Sequence, residues 1–402
     1  MIRVWMGSTR HEWYRDGTSR PQPAGVPTGE DTAARRSPQR ARLPPLPAIA
    51  LWTIAARIQP MRQAIVLGLA ILLTGARGAA AQPADGTLLE QTPCPAYVAP
   101  AYEAAVASAK QFHAEEITAS QREGITMRTP VAYATPDEFE RGVKVSQSVA
   151  CTRIVYRSDG LKVAGLMWRP KDQGSKRLPL IIFTRGGNRD YAKIPPWHGF
   201  HRLAAEGFVV MASQYRGVDG GEGVEEFGGA DVNDVRNLVP VAASLGIADL
   251  DNVFLLGWSR GAMEALLALK HGLRANAIAV GGGLLDLVAE AERRPTLVTN
   301  VWSVLIPQFA TRGDAALRER SAMYWPEAVT VPILILHGGG DWRASPLESM
   351  KFAQKLHTAG RIYELVVYAN DDHAISANRA DSNRRIVEWF RKHMRPATEP
   401  VR

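Results

Sequence analysis

The segment Leu255-Leu256-Gly257-Trp258-Ser259-Arg260-Gly261-Ala262 constrains this chain more than any other stretch. Residues 253–256 read as a short buried strand, residues 262–270 read as a helix, and Ser259 falls on the turn between them. A turn that sharp leaves no room for side chains two places either side of the serine, and both places hold glycine, Gly257 and Gly261. It lifts the hydroxyl above the sheet and aims the N–H of Arg260 and the start of the helix at any oxyanion forming beside Ser259. The bland alternative is a glycine-flanked turn with an inert serine, so the segment needs partners elsewhere in the chain.

Where partners can lie depends on the order of elements. Residues 151–157 and 161–169 flank Ser158-Asp159-Gly160, a hairpin signal. Strands then alternate with helices: strand 180–184, helix near 200–205, strand 208–212, helix 232–243, strand 253–256, helix to His271, strand 277–280. The alternation predicts an α/β fold with a mostly parallel central sheet and helices on both faces, entered through antiparallel strands. Between residues 281 and 330, after the sixth expected strand, the rhythm stops. Helical stretches at 284–292 and 315–321 intervene, with Trp302, Phe309, Tyr324 and Trp325 among them. This cap-like insertion is expected over the mouth of the site, its aromatics forming a local core or lining part of an acyl or leaving-group pocket.

The sheet resumes at residues 332–336 and runs into His337-Gly338-Gly339-Gly340-Asp341-Trp342-Arg343. Chemistry on a parallel sheet gathers at the carboxyl ends of its strands, which is where Asp341 stands as a candidate acid. Ser345-Pro346-Leu347-Glu348 reads as an N-cap, a first-turn proline and a capping-box glutamate. With nucleophile, acid and base in that chain order, the base is one of His357, His373 and His393. His357 falls on the helix opening at Ser345, and His393 on a terminal helix from about Asn383. His373 follows strand 363–368 in a loop at a strand's carboxyl end and is the candidate base, with a plain surface histidine as the alternative. His337 is expected to order the acid loop by hydrogen bonding. Arg185-Gly186-Gly187-Asn188 follows strand 180–184, so backbone N–H groups at Arg185 and Gly186 are candidates to complete an oxyanion hole with Arg260.

Net charge misleads here. Residues 1–81 hold eleven arginines, no lysine and four acidic residues, which accounts for +7 of the formal +8. The remainder is nearly balanced and gives no support for a nucleic-acid partner. Residues 1–60, rich in Arg, Pro, Gly, Ser and Thr, are expected to be disordered or to precede the true start at Met61. From Met61 a charged start, an apolar run at 64–73 and Ala79-Ala80-Ala81 form a signal peptide, 61–81, expected to be cleaved rather than to anchor the chain in a membrane. Residues 82–150 follow as an N-terminal helical extension, helical from Tyr102 to about Gln121, ahead of a catalytic domain at 151–396. The mature chain's two cysteines, Cys94 and Cys151, pair most simply as a disulfide in an oxidising compartment, secreted or periplasmic; two buried thiols are the alternative. No metal-ligand spacing is present and no cofactor is needed.

Tyr215-Arg216-Gly217 with Gly220-Gly221-Glu222-Gly223, then Glu226-Phe227-Gly228-Gly229-Ala230-Asp231-Val232, the Ser259 elbow and the His337–Arg343 run resemble the catalytic domain of the prolyl oligopeptidase family of α/β-hydrolases. The resemblance spans roughly residues 161–395. It implies the α/β-hydrolase fold and a triad of Ser259, Asp341 and His373, and it gives Arg216 and Asp231 a structural role as a buried ion pair holding the loop before the helix. Two features depart from the family. About 70 residues of helix-leaning sequence cannot form the β-propeller that precedes this domain in its peptidases. The turn where those peptidases carry an oxyanion-hole tyrosine begins here with Arg185. The expectation is therefore an exported serine hydrolase working through an acyl-enzyme, an esterase first and a peptidase on short peptides second. A non-catalytic binding protein is the remaining option.

Overall fold

The computed structural model describes residues 84–396 apart from 128, 131, 197 and 198. The expected leader at 1–60 and signal peptide at 61–81 lie outside the described residues. Nine strands form one sheet: β1 (Leu88–Pro93), β2 (Val149–Ser158), β3 (Leu161–Pro170), β4 (Leu178–Thr184), β5 (Val209–Ser213), β6 (Ala248–Trp258), β7 (Ala277–Gly281), β8 (Ile333–Gly338) and β9 (Tyr363–Tyr368). Their order is β1-β2-β3-β5-β4-β6-β7-β8-β9. Along that order pairings are antiparallel from β1 to β5 and parallel from β5 to β9. This is the mostly parallel sheet expected from the strand–helix alternation, entered through antiparallel strands, and it agrees with the α/β-hydrolase fold that the family resemblance implies.

Local chemistry explains the pieces. Asp159 and Gly160 turn the β2–β3 hairpin with φ of 49° and 74°, the pair of positive values a two-residue hairpin needs. Strands β4 and β6 are apolar on both faces because both faces are covered: Leu180, Ile182, Val253 and Leu255 enter one core, Ile181, Phe183, Phe254 and Leu256 the other. The helices are α1 (Tyr102–Arg122), α2 (Pro136–Gln147), α3 (His201–Ala205), α4 (Asp231–Arg236), α5 (Leu238–Leu245), α6 (Arg260–Lys270), α7 (Leu287–Arg293), α8 (Phe309–Arg320), α9 (Pro346–Thr358) and α10 (Arg379–Lys392). Residues of α4, α5, α6 and α9 pack into the first core and those of α3 and α10 into the second.

Several sequence expectations change in detail. The helix expected over 232–243 is two, divided at Asn237, because Pro240 has no N–H to offer the carbonyl four residues back and fits only a first turn. Strand β1 was not expected, so the insertion follows the seventh strand in chain order. Within it lie α7, a π-helical turn Val298–Trp302 and α8, which bends at Gly313. Trp302 and Trp325 are buried in the first core, Phe309 packs against it, and Tyr324 is 39% exposed. Three of the four aromatics therefore join the main core beside the sheet, and Tyr324 does not. Ser345 precedes α9 with Pro346 in its first turn, but no side-chain cap forms, because Glu348 is buried and accepts from the Asp286 N–H at 3.2 Å instead. Cys94 and Cys151 form a disulfide across the β1–β2 edge, with Cα atoms 5.3 Å apart.

Candidate active site

Ser259 stands between β6 and α6 with φ 59° and ψ −126°, a backbone conformation that costs energy for a non-glycine residue. Both flanking glycines are required sterically. A Cβ on Gly257 would lie 2.8 Å from Ala262 Cα, and one on Gly261 would fall onto the Thr184 carbonyl and 2.9 Å from the Arg185 carbonyl oxygen. The elbow is held from both sides: the Ser259 N–H donates to the Gly281 carbonyl at 2.9 Å, and the Ser259 carbonyl accepts from Ala262 and Leu284 at 3.0 and 3.2 Å. The hydroxyl-bearing residue is half-buried at the carboxyl end of the sheet.

Asp341 and His373 meet at the ends of β8 and β9. His373 Nδ1 lies 2.7 Å from Asp341 Oδ2. The carboxylate can only accept, so Nδ1 carries the proton and Nε2 is left as the basic nitrogen. Asp341 Oδ1 accepts from the N–H groups of Arg343 and Ala344 at 2.8 and 3.1 Å. His337 Nε2 lies 3.1 Å from Oδ2, while its Nδ1 faces the Ser349 hydroxyl at 2.7 Å, so His337 does order the acid loop. Burial alone would raise the Asp341 pKa; His373 and His337 outweigh it and hold the carboxyl far below the usual range. His357 lies on α9 and His393 just beyond α10, away from this junction.

Three further features position the His373 loop next to the Ser259 turn, and the sequence reading assigned none of them. The Trp258 indole N–H, adjacent to Ser259, donates to the His373 carbonyl at 2.9 Å. Gly282 (φ 51°) leaves space that a Cβ would contest at 3.0 Å from His373 Nδ1. Asp371 accepts from the N–H groups of Asp372, Ala377 and Asn378 at 2.9–3.0 Å, and Asp372 from Ala374 and Ser376, which folds the base loop around its own acidic residues. Asp371 and Asp372 were visible in the sequence as loop residues, and their spacing to the following N–H groups was the missed signal.

Of the candidate oxyanion donors, Arg260 opens α6, where N–H groups have no intrahelical acceptor. Its side chain goes the other way. It is fully buried, pairing with Glu225 at 2.8 Å, Glu264 at 3.0 Å and Asp231. The Arg185 side chain is buried as well, donating to the carbonyls of Gln214, Arg189 and Tyr191 at 2.9–3.2 Å, so it is committed to holding its own turn. Tyr215 lies between the two guanidiniums, 4.9 and 4.8 Å from its ring centroid, and donates to the Arg185 carbonyl at 3.0 Å. The ion pair expected between Arg216 and Asp231 does not form. Arg216 pairs with Asp234 and Asp159 at 2.8 Å, and Asp231 caps the N–H groups of Gly228 and Gly229 while meeting Arg260. Both residues are structural, but each holds a different neighbour.

Helix α1 reaches this site from a distant part of the chain. Glu116, buried on α1, accepts from Trp342 Nε1 at 2.9 Å and from the Arg343 guanidinium, with Nε at 2.6 Å. Burial acts to raise the Glu116 pKa, but Arg343 overrides it and keeps the carboxylate ionised. The N-terminal extension therefore grips the two residues that follow Asp341. Among the described residues no cluster of His, Cys, Asp and Glu could hold a metal ion, and no helix is long and apolar enough to cross a membrane.

The profile of the prolyl oligopeptidase family matches residues 197–397, a stretch containing Ser259, Asp341 and His373. The chain belongs to the prolyl oligopeptidase family. As a member of it, the protein is a serine hydrolase. An uncharacterized peptidase of Bacillus subtilis (strain 168), YtmA, is 28% identical over 259 residues, covering 64% of this chain and 98% of its own. Dipeptidyl peptidase family member 6 of Caenorhabditis elegans is 25% identical over 237 residues, 55% of this chain and 32% of that one. The structure of Pyrococcus horikoshii acylaminoacyl peptidase superposes with a TM-score of 0.54 at 18% identity, covering 65% of this chain and 45% of that one, which speaks to the fold alone. This family member thus spans nearly the whole Bacillus relative and less than half of the two larger proteins.

Proposed function

We propose that this chain is an exported serine peptidase acting on short peptides through an acyl-enzyme. The observation that carries it is the 2.7 Å Asp341–His373 bond beside the strained Ser259 turn. In this reading His373 Nε2 takes the proton from Ser259 as the hydroxyl attacks a peptide carbonyl, Asp341 fixes the imidazole tautomer and stabilises its cation, and His373 then returns the proton to the departing amine. Backbone N–H groups of Arg260 and of the turn at Arg185 and Gly186 bind the oxyanion, each typically worth about 3 kcal/mol of barrier. Water then releases the acyl group by the same route.

The sequence alone favoured an esterase. Peptidase takes precedence because the Bacillus and Caenorhabditis relatives are both named as peptidases and the Bacillus one is matched along 98% of its length. Export rests on the signal-peptide pattern at 61–81 and agrees with the disulfide. The test is fluorophosphonate labelling of the mature protein, mapped by mass spectrometry and run beside Ser259→Ala, with aminoacyl nitroanilides and nitrophenyl esters as substrates. Label on Ser259 with nitroanilide turnover is the expected result. Label with ester turnover only would return the reading to an esterase, and no label on folded protein would remove the triad.

A further inference from the structure

The two oxygens of Asp341 are held in different ways. Oδ2 faces the imidazoles of His373 at 2.7 Å and His337 at 3.1 Å, whereas Oδ1 accepts from the main-chain N–H groups of Arg343 and Ala344 at 2.8 and 3.1 Å. Those N–H groups belong to consecutive peptide units, Trp342–Arg343 and Arg343–Ala344. In a trans peptide the carbonyl points opposite to the N–H, so each unit has a second end directed away from the carboxylate. Both far ends are taken by cations. The Trp342 carbonyl accepts from Arg293 Nη1 at 2.7 Å, and the Arg343 carbonyl accepts from Arg294 Nη1 at 2.7 Å.

Each peptide unit thus lies between a guanidinium at its oxygen and the Asp341 carboxylate at its hydrogen, with its dipole of about 3.5 D aligned to both charges. A cation at the carbonyl polarises the unit and strengthens the bond its N–H makes, on the order of 10–30% per bond. Two such chains converge on one oxygen and fix the rotation of the carboxyl group, which leaves Oδ2 toward His373. The arginines come from the insertion, Arg293 as the last residue of α7 and Arg294 just after it. Carboxylates set their own positions. Glu290, fully buried, accepts from Arg293 Nε and Nη2 at 2.9 and 2.6 Å and lies 3.8 Å from Arg294 Nη1, while Glu123 lies 3.8 Å from Arg294 Nη2. Arg294 also stands over the Trp342 ring, 5.0 Å from its centroid. The Arg343 side chain, by contrast, turns to Glu116 on α1.

We propose that Arg293 and Arg294 are positioning residues for the triad, acting on Asp341 through the Trp342–Arg343 and Arg343–Ala344 peptide units. The insertion after β7 is thereby coupled to the acid. The inference rests on the Ser259, Asp341 and His373 reading and is independent of whether the acyl group is released from an amide or an ester.

The readout is the rate at which a fluorophosphonate labels Ser259 on the full mature chain, which requires the triad and no knowledge of the substrate. Arg293→Met and Arg294→Met each remove a cation and should slow labelling about fivefold, the size of a coupling passed through neighbouring groups. Arg293→Lys gives up the fork to Glu290 as the methionine variant does, yet keeps a cation for the Trp342 carbonyl. It should melt near Arg293→Met and label within about twofold of the wild type. Arg293→Gln, neutral but polar, should slow labelling as Arg293→Met does and serves in its place should that variant fold poorly. Arg312→Gln, exposed on α8 and paired with Glu319, removes a charge from the same insertion and should leave the rate unchanged. The decisive arm is the Asp341→Asn background. Groups that act through Asp341 lose their effect there, so Arg293→Met and Arg294→Met should alter its residual labelling rate by less than about twofold. A loss that persists in full with Asp341→Asn, or neutral and lysine variants that slow alike, overturns the inference. A wild type that takes no label overturns the triad itself, whereas a wild type that labels, with every arginine variant at its rate, overturns this inference alone.

Discussion

Asp341 takes four hydrogen bonds or close charge contacts, from two main-chain N–H groups and two imidazoles, and this is why a fully buried carboxylate stays ionised. Asp341→Asn keeps the size but can present its amide N–H₂ to His373, which then protonates the wrong nitrogen. A fall in kcat of about 10⁴ is expected with KM little changed and the melting temperature within a few degrees, measured on whichever substrate the labelled enzyme turns over. A second buried carboxyl behaves in the opposite sense. Burial first, and Glu290 second, push the Glu348 pKa from 4.5 up to about 9. The unfolded chain releases this proton above about pH 4.5 while the folded chain keeps it, so the group makes stability fall as pH rises toward 9. Glu348→Gln retains an acceptor for the Asp286 N–H and a donor toward Glu290. It should flatten that decline and raise the melting temperature at pH 8 by about 3 °C or more, whereas an unchanged slope between pH 5 and 8.5 would show that Glu348 is ionised in the fold.

Helix α1 is the element whose contribution the sequence concealed. Its composition announces a helix, and nothing in it announces that Glu116 meets Trp342 and Arg343, 226 and 227 residues further on. Glu123 follows the last residue of this helix, and its carboxylate accepts from the Thr296 hydroxyl in the insertion, so α1 spans from the Asp341 loop to the segment after β7. Removing the carboxylate leaves a largely buried guanidinium and an indole N–H without their acceptor. Glu116→Ala should cost about 3 kcal/mol of stability and lower kcat about tenfold through a looser Asp341 loop, whereas Glu116→Gln, which keeps an acceptor for Trp342, should recover much of the rate. A kcat untouched by either change would make the contact purely structural. What could be read beforehand was set by short-range chemistry. The glycines at 257 and 261, the strand-end placement of Asp341 and the loop position of His373 follow from sterics and element order. The partners of Arg216, Asp231 and Glu348 do not, because a buried charge takes whichever counter-charge the tertiary packing brings. Strand β1 was missed for a related reason: four of its six residues are exposed, so it carries no apolar alternation to read.

At the scale of the whole molecule, the Cys94–Cys151 bridge closes a loop of 57 residues that contains both α1 and α2. Helix α1 supplies the Glu116 contact, while the N-terminal end of the segment that carries both helices is held to the sheet by the short β1–β2 pairing. Restricting a loop of that length in the unfolded chain is worth about 4 kcal/mol, and fraying of the bridged ends is what the covalent link prevents. Reduction, or Cys94→Ser with Cys151→Ser, should therefore lower the melting temperature by about 6 °C. It should also expose main-chain N–H groups of β1 and α1 to hydrogen exchange before those of β4 and β6, which lie at the centre of the sheet. Catalysis near 25 °C should fall only as far as α1 loosens, so a reduced enzyme and Glu116→Ala are expected to show losses in kcat that do not add. If thiols proved free by alkylation leave both the melting temperature and the exchange of α1 unchanged, the β1–β2 pairing and the α1 contacts hold this segment without the bridge.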